Sequence, residues 1–229
     1  MKEPTWWSKL LRWIGIVLMA LTAAFTLLSG AGTSCIALAA ETYGEKWAPL
    51  VPYKWLYILF VVITLAIGVL GVRAVVLLVK GRPSAYRQTL LALILGVLVG
   101  AIHMAVSRNL RGGSSMPVDT VVYTTVLTLL VFLLFRLPPL WVRLGFDRDQ
   151  SENTPAGGAA AIVVGVLTLT IHLWMGPTHT WGGVNYADVW HTALQALGWA
   201  FILLGISSAA YHYIPGIKRA ESQTVSIAS

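Results

Sequence analysis

The chain has 229 residues, of which 57% are hydrophobic and only 11% are charged, and its mean hydropathy is +0.74. Because a soluble domain carries about a quarter charged residues, this composition excludes an ordinary water-soluble protein. The net charge of +7 does not indicate a nucleic-acid partner, since the Lys and Arg residues lie in short links between apolar runs. A single cysteine, Cys35, excludes an internal disulfide and a Cys-rich metal cage.

Apolar runs long enough to cross a bilayer recur along the chain. The hydrocarbon core is about 30 Å thick, so a spanning helix needs about 20 apolar residues. The sequence predicts an all-α integral membrane protein, a bundle of about six transmembrane helices near residues 13–37, 55–79, 89–106, 119–137, 159–175 and 192–211. All ten prolines lie outside these runs, as expected from the way proline disrupts helix interiors.

The distribution of basic residues predicts the orientation. Eleven Lys and Arg residues lie at the N-terminus, in the links 80–88 and 136–158 and in the C-terminal tail, against four in the opposite links. Positive residues favour the cytoplasmic side, so we expect a multi-pass protein of the cell (inner) membrane with both termini in the cytoplasm. The first run continues past Cys35, which favours an uncleaved helix over a processed signal. We expect a polar cytoplasmic loop at 138–158 and a flexible tail at 220–229.

Small residues on two of the predicted helices indicate close packing. Gly96 and Gly100 form a small-xxx-small pair in the third helix, and Gly68 and Gly71 form a less regular pair in the second. We expect these faces to pack within the chain rather than between two copies of it.

Soft and nitrogen ligands gather toward the predicted outer side. His103 and His172 lie within apolar runs, where a polar group usually faces the bundle interior, and we identify them as candidate cofactor ligands, for haem b or at a quinol pocket. A copper or other metal site would use His179, His191, Met104, Met175 or Cys35. The alternative is that the buried histidines bond to Thr168 or Ser107 and that the others are interface residues.

An unusual turn follows the third predicted helix. Arg108 and Arg111 are three residues apart, on the side that positive charge does not favour, and Gly112-Gly113-Ser114-Ser115 follow them. With free amides of the turn, these arginines could hold an anion, a lipid headgroup or a partner carboxylate; the alternative is internal pairing with Asp119, Glu41 or Glu45. Asp188 is a further candidate contact, either orienting His191 or capping the sixth helix.

Signatures of known chemistry are absent from the sequence. It contains no GxSxG, P-loop, HExxH or CxxC motif, and the only Asp or Glu in the six runs is Asp119, at the outer end of the fourth. We therefore expect a non-catalytic or cofactor-holding subunit of a larger membrane assembly, in contact with lipid and with protein partners. The alternatives are a haem-, copper- or quinol-binding redox protein with its site in the outer half, and a small-solute or lipid transporter.

Overall fold

The computed structural model describes residues 6–115, 117–146, 149, 153–176, 179–181 and 183–213, and these are mostly helical. In chain order they form α1 (Trp6–Ala39), α2 (Lys54–Val79), α3 (Ala85–Arg111), α4 (Val118–Leu134), α5 (Pro138–Leu144), α6 (Thr154–Leu169), α7 (Ile171–Met175), α8 (Tyr186–Val189) and α9 (His191–Tyr213). Two strands, β1 (Thr180–Trp181) and β2 (Val184–Asn185), pair antiparallel. Two 3-10 helices, Ala40–Tyr43 and Glu45–Tyr53, join α1 to α2.

The helices support a membrane protein with four to five candidate spans. Trp6–Tyr43, Glu45–Val79, Ala85–Arg111 and His191–Tyr211 are each long and apolar enough to cross a bilayer. A fifth candidate is α4 taken together with α5, although the two helices meet at 90°. The remaining apolar helix of the expected six, α6, has 16 residues and is shorter than a typical span.

The segment expected to be the polar loop 138–158 is partly helical. Leu137 is extended, as a residue before proline usually is, and Pro138 and Pro139 occupy the first turn of α5, where proline is tolerated. Likewise Pro155 lies in the first turn of α6, so this helix starts before residue 159. The tail 220–229 lies outside the described residues.

Four helices, α1 to α4, surround a common axis. α1 contacts α2, α4 and α6, while α3 contacts α2 and α4. A Cβ added to Gly68 would lie 2.5 Å from Leu27, and one added to Gly100 would lie 2.8 Å from Val122. Glycine therefore allows α1 to approach α2, and α3 to approach α4, so both predicted small-residue faces pack within the chain.

A second glycine interface joins α6 to α9. A Cβ on Gly165 would lie 2.7 Å from the carbonyl oxygen of Gly198, and one on Gly158 would lie 2.8 Å from that of Gly205. The contacts are reciprocal, since a Cβ on Gly205 would lie 2.6 Å from the carbonyl oxygen of Gly158. Each helix thus uses two glycines seven residues apart, and the two backbones meet directly.

An aromatic cluster closes one end of the α1–α4 bundle. The Tyr86 hydroxyl donates a 2.8 Å hydrogen bond to the carbonyl of Phe132, and its ring meets that of Trp141 edge-on at 4.7 Å. The guanidinium of Arg136 lies 4.2 Å from the centre of the Trp141 ring. We call this the aromatic end; its cluster consists of Tyr86, Phe132, Phe135, Trp141 and Phe146.

A candidate anion pocket at the Arg111 end

The pocket lies at the opposite end of the bundle, where α3 stops. Gly112 has φ +66°, a conformation that favours glycine, and its amide donates a 2.9 Å hydrogen bond to the Arg108 carbonyl. This cap leaves Arg108 and Arg111 in the last helical turn, where positive charge interacts favourably with the helix dipole. The turn then leads back into α4 through Ser115, which is buried.

Arg108 forms an ion pair with a carboxylate. Its Nη2 lies 3.0 Å from Oδ2 of Asp119, which is only 5% exposed, and 3.2 Å from the Tyr123 hydroxyl. Ser115 also donates a hydrogen bond to Asp119. The internal pairing with Asp119, one of the alternatives considered from the sequence, is therefore present for Arg108. It connects the end of α3 to the start of α4.

Arg111 is placed differently, although it lies on the same helical turn. Its guanidinium carbon is 4.1 Å from the centre of the Trp47 ring. Within the described part of the chain it forms no hydrogen bond or ion pair, and its Nε is buried without a partner. Stacking occupies one face of the guanidinium and leaves the N–H groups at its edge free to bind an acceptor in the plane.

A cavity adjoins Arg111, and we call it the Arg111 pocket. Its water-accessible volume is about 40 Å³. The lining includes hydrogen-bonding groups from α2, α3 and the 112–117 turn, together with small residues of α1. These residues are Gly32, Thr33, Ile36, Trp47, Tyr57, His103, Ser107, Arg111, Ser115, Pro117, Val118 and His179.

His103 lies at the inner wall of the pocket. It is 4% exposed, and its ring stacks on Phe60 at 4.3 Å with an interplanar angle of 15°. Tyr57 meets the imidazole edge-on at 5.4 Å and shares a 2.7 Å hydrogen bond with Ser107. The bond to Ser107 considered for His103 is therefore made by Tyr57, and no hydrogen bond to the imidazole is formed among the residues that the structure describes.

His179 reaches the pocket from the link between α7 and β1. Its Nδ1 donates to the carbonyl of Met175 at 3.2 Å, so in the neutral ring Nε2 is the acceptor. That Nε2 lies 3.5 Å from where a Cβ on Gly32 would be. Burial lowers the pKa of His179 from its ordinary 6.5, while the bond to Met175 opposes this shift. The neutral form is therefore favoured.

The structure places four of the five histidines in two pairs. His103 and His179 line one pocket, whereas the rings of His172 and His191 lie 6.4 Å apart. His172 is not among the residues that line the Arg111 pocket with His103, and the assignment of these two histidines as cofactor ligands stays a prediction. Across the described ranges there is no group of three or more His, Cys, Asp or Glu side chains that could hold a metal.

The remaining candidate ligands occupy separate positions. Cys35 is exposed on α1, and Met104 is half-buried on α3. Asp188 is exposed within α8, and the side chain that caps this helix is Asn185, whose Oδ1 accepts from the Ala187 amide at 3.0 Å. A copper or other metal site at His179, His191, Met104, Met175 or Cys35 stays a prediction.

Two residues of the pocket, Trp47 and Tyr57, were not among the candidates identified from the sequence. Trp47 supports Arg111, and Tyr57 bonds to Ser107 beside His103. The available signal was their position in the link before the second predicted helix and at its start, on the same predicted outer side as the Arg108–Pro117 turn. An aromatic belt and a pocket wall give the same pattern in sequence.

Comparison of the chain with protein-family models, with curated proteins and with solved structures gives no significant match. The functional assignment therefore depends on the geometry of the pocket and of the bundle axis.

Proposed function

We propose that this protein is a non-catalytic subunit of a larger membrane assembly, and that an acidic group of a neighbouring subunit enters the Arg111 pocket. In this proposal the chain crosses the cell (inner) membrane six times, with both termini in the cytoplasm and the pocket on the outer side. The Lys and Arg bias of the links supports that orientation.

The observation that carries the proposal is the contrast between the two arginines. Arg108 has a carboxylate partner at 3.0 Å, whereas Arg111 has none among the described residues and its Nε is buried. Arg111 is half-buried and interacts with Asp119 only through space, and a partly desolvated cation without a hydrogen-bonded counter-charge is costly. A carboxylate supplied by another chain would remove this cost, and we therefore place the contact with the neighbouring subunit at Arg111.

The shape of the pocket favours a carboxylate. Trp47 holds the guanidinium plane, so its free edge can form the bidentate pair that a carboxylate accepts. Hydroxyls of Ser107 and Ser115 line the same space. At about 40 Å³ the pocket suits the end of an acidic side chain or a chain terminus better than a phosphodiester with its glycerol.

The test compares variants in assemblies extracted with native lipid. Arg111→Gln removes the charge at the pocket, and Arg108→Gln is the matched control, one helical turn away and already paired with Asp119. Native mass spectrometry of the wild-type protein should show a stoichiometric complex that Arg111→Gln loses while remaining inserted. Arg111→Lys should restore it in part, since the charge returns without the planar fork.

Two outcomes contradict the proposal. One is a wild-type chain that is alone in the native membrane, and the other is an Arg111→Gln complex as abundant as the wild-type complex. Adding acetate or phosphate to the chain without a partner distinguishes the two sources of an anion. Binding of the free ion at Arg111 would show that the ligand of the pocket is a small anion and not a group of another subunit.

A further inference from the structure

The axis of α1–α4 is polar beyond the Arg111 pocket. Hydroxyl and small residues recur on each helix at intervals of three, four or seven, which places them on one face. On α1 these are Thr22, Thr26, Ser29 and Thr33, and on α3 they are Gly96, Gly100, His103 and Ser107. α2 and α4 contribute Thr64 and Thr125 to the same axis.

Three cavities follow one another along this axis. The first is the Arg111 pocket; the second, of about 20 Å³, shares His103 and Val118 with it. The third, of about 10 Å³, shares Thr26 and Thr125 with the second and reaches Thr22. A water molecule needs about 10–15 Å³ of water-accessible volume, so the first two cavities have room for water and the third is at the limit.

The polar groups along the cavities can bind water. Thr26 donates to the Thr22 carbonyl at 2.7 Å, and Thr125 donates to the Val121 carbonyl at 2.6 Å. Their donors are used inside the helices, while their oxygen lone pairs stay available as acceptors. These backbone hydrogen bonds would satisfy the threonine hydroxyls even without water. The threonines therefore do not show whether the axis contains water.

His103 indicates that the axis contains water. Its imidazole always carries at least one donor or acceptor nitrogen that needs a partner. It is 4% exposed, lines both the first and the second cavity, and forms no hydrogen bond within the described ranges. A buried polar group left unbonded is destabilising, and water in the adjoining cavities would bond to both ring nitrogens.

The polar axis ends before the aromatic end. Thr22 and Thr128 share a 2.8 Å hydrogen bond, and beyond them Met19, Leu93 and Phe132 are fully buried. From Ser107 to Gly96 the axis follows 11 residues of α3, or about 16 Å at helical rise. This is about half the thickness of the hydrocarbon core.

We propose that the axis is a water-filled access path that admits water and species of similar size from the Arg111 pocket as far as the Thr22–Thr128 pair. It is a half-channel, open at the pocket end and closed by the aromatic end, and His103 binds its water chain. The path is a property of the chain with no partner in the Arg111 pocket, so it does not depend on the docking role of Arg111.

Thiol accessibility to silver ions, which are small enough for a water-sized path, tests the proposal. In a Cys35→Ser background, Ser29→Cys and Thr125→Cys place thiols on the second cavity. Thr124→Cys is the matched control one residue away, since the Thr124 hydroxyl lies at an exposed position of α4. Silver added at the pocket side should consume the thiols at 29 and 125 and leave the thiol at 124 intact.

A second variant removes the group that binds water in the path. His103→Phe, in the Ser29→Cys protein, replaces the water-binding ring by an apolar one and should protect the thiol at 29. Thiols at 29 and 125 that react no faster than the thiol at 124 would show a dry axis and overturn the proposal. Because serine to cysteine is nearly isosteric, the position 29 variant decides the question even where Thr125→Cys fails to insert.

Discussion

The guanidinium of Arg111 lies 4.1 Å from the centre of the Trp47 ring, and this stack joins the end of α3 to the 3-10 helix Glu45–Tyr53. Both residues line the Arg111 pocket. The contact fixes the plane of the guanidinium, so it determines the direction from which an acidic group can approach. Several measurable consequences depend on this geometry and on its neighbours.

Replacing Trp47 should destabilise the folded protein, because the stack on Arg111 is lost. Cation–π contacts of partly desolvated arginines contribute about 1 kcal/mol. Trp47→Ala should therefore lower the free energy of unfolding by at least about that amount in detergent or nanodiscs, and Trp47→Phe by less. Trp55, which is 64% exposed, is the control, and Trp55→Ala should have a smaller effect. Equal effects at the two positions would show that the stack contributes nothing specific.

Asp119→Asn should destabilise the α3–α4 turn. The carboxylate is buried and accepts hydrogen bonds from Arg108 and Ser115, so the amide loses the ion pair and leaves groups unsatisfied. We expect a fall of several degrees in the melting temperature. Glu41→Gln breaks the exposed pair with Lys54 at 2.9 Å and should leave the melting temperature almost unchanged. A reversed order would contradict the structural role of Asp119.

A large side chain in the α6–α9 glycine interface should separate α9 from α6. Gly165→Leu drives a side chain into the Gly198 backbone, and overpacking of this kind costs about 1–3 kcal/mol. Limited proteolysis should then cut α9 or the link before it in the variant sooner than in the wild-type protein. Gly113→Ala is the control, because a Cβ there meets nothing within 4 Å. Protection of α9 in Gly165→Leu would mean that the helices meet elsewhere.

Acidification should open the link that carries His179. Burial lowers the pKa of His179 below 6.5, so the open link binds a proton more readily than the closed one. The closed form is therefore favoured above about pH 6.5 and loses stability as the pH falls. Arg111 and His103 also line this pocket, as a second charged group and a second titratable ring.

Hydrogen exchange at residues 179–181 and 183–185 measures this opening. Protection in the wild-type protein should decrease between about pH 7.5 and pH 5.5. His179→Gln should show no such decrease, whereas His103→Gln should keep it. A pH dependence that persists in His179→Gln and disappears in His103→Gln would assign the effect to the other histidine.

Sided labelling tests the proposed orientation. In a Cys35→Ser background, Gly113→Cys lies in the exposed turn at the pocket end, and Ser84→Cys lies in the exposed turn before α3 at the opposite end. A membrane-impermeant maleimide should label position 113 in intact cells and position 84 only after permeabilisation. Labelling with the opposite preference would invert the topology, and labelling of both in intact cells would show that α3 does not span the membrane.

The sequence predicts the apolar helices well because their signal is local. Runs of about 20 apolar residues, flanked by proline and charge, need no partner to be recognised. The break at Thr170 and the helical turn of Pro138–Leu144 were not predicted, because proline at a helix start and proline in a loop give the same local pattern. The Gly158–Gly205 contact was missed since it joins residues far apart in the chain.

The site was predicted only in part for the same reason. Charge on an unfavoured side singled out Arg108 and Arg111, but only the structure shows that Asp119 pairs with the first and Trp47 stacks on the second. Likewise His103 was expected to face the bundle interior, whereas its neighbours His179, Tyr57 and Phe60 come from other segments. Spacing within one helix cannot reveal such convergence.

The most direct measurement of the central claim is the structure of the assembly extracted with its native membrane. The account predicts density for a carboxylate of another chain within hydrogen-bond distance of the Arg111 guanidinium, with Trp47 stacked on its face and Arg108 still bound to Asp119. An Arg111 pocket that holds only water while subunits meet elsewhere would contradict it.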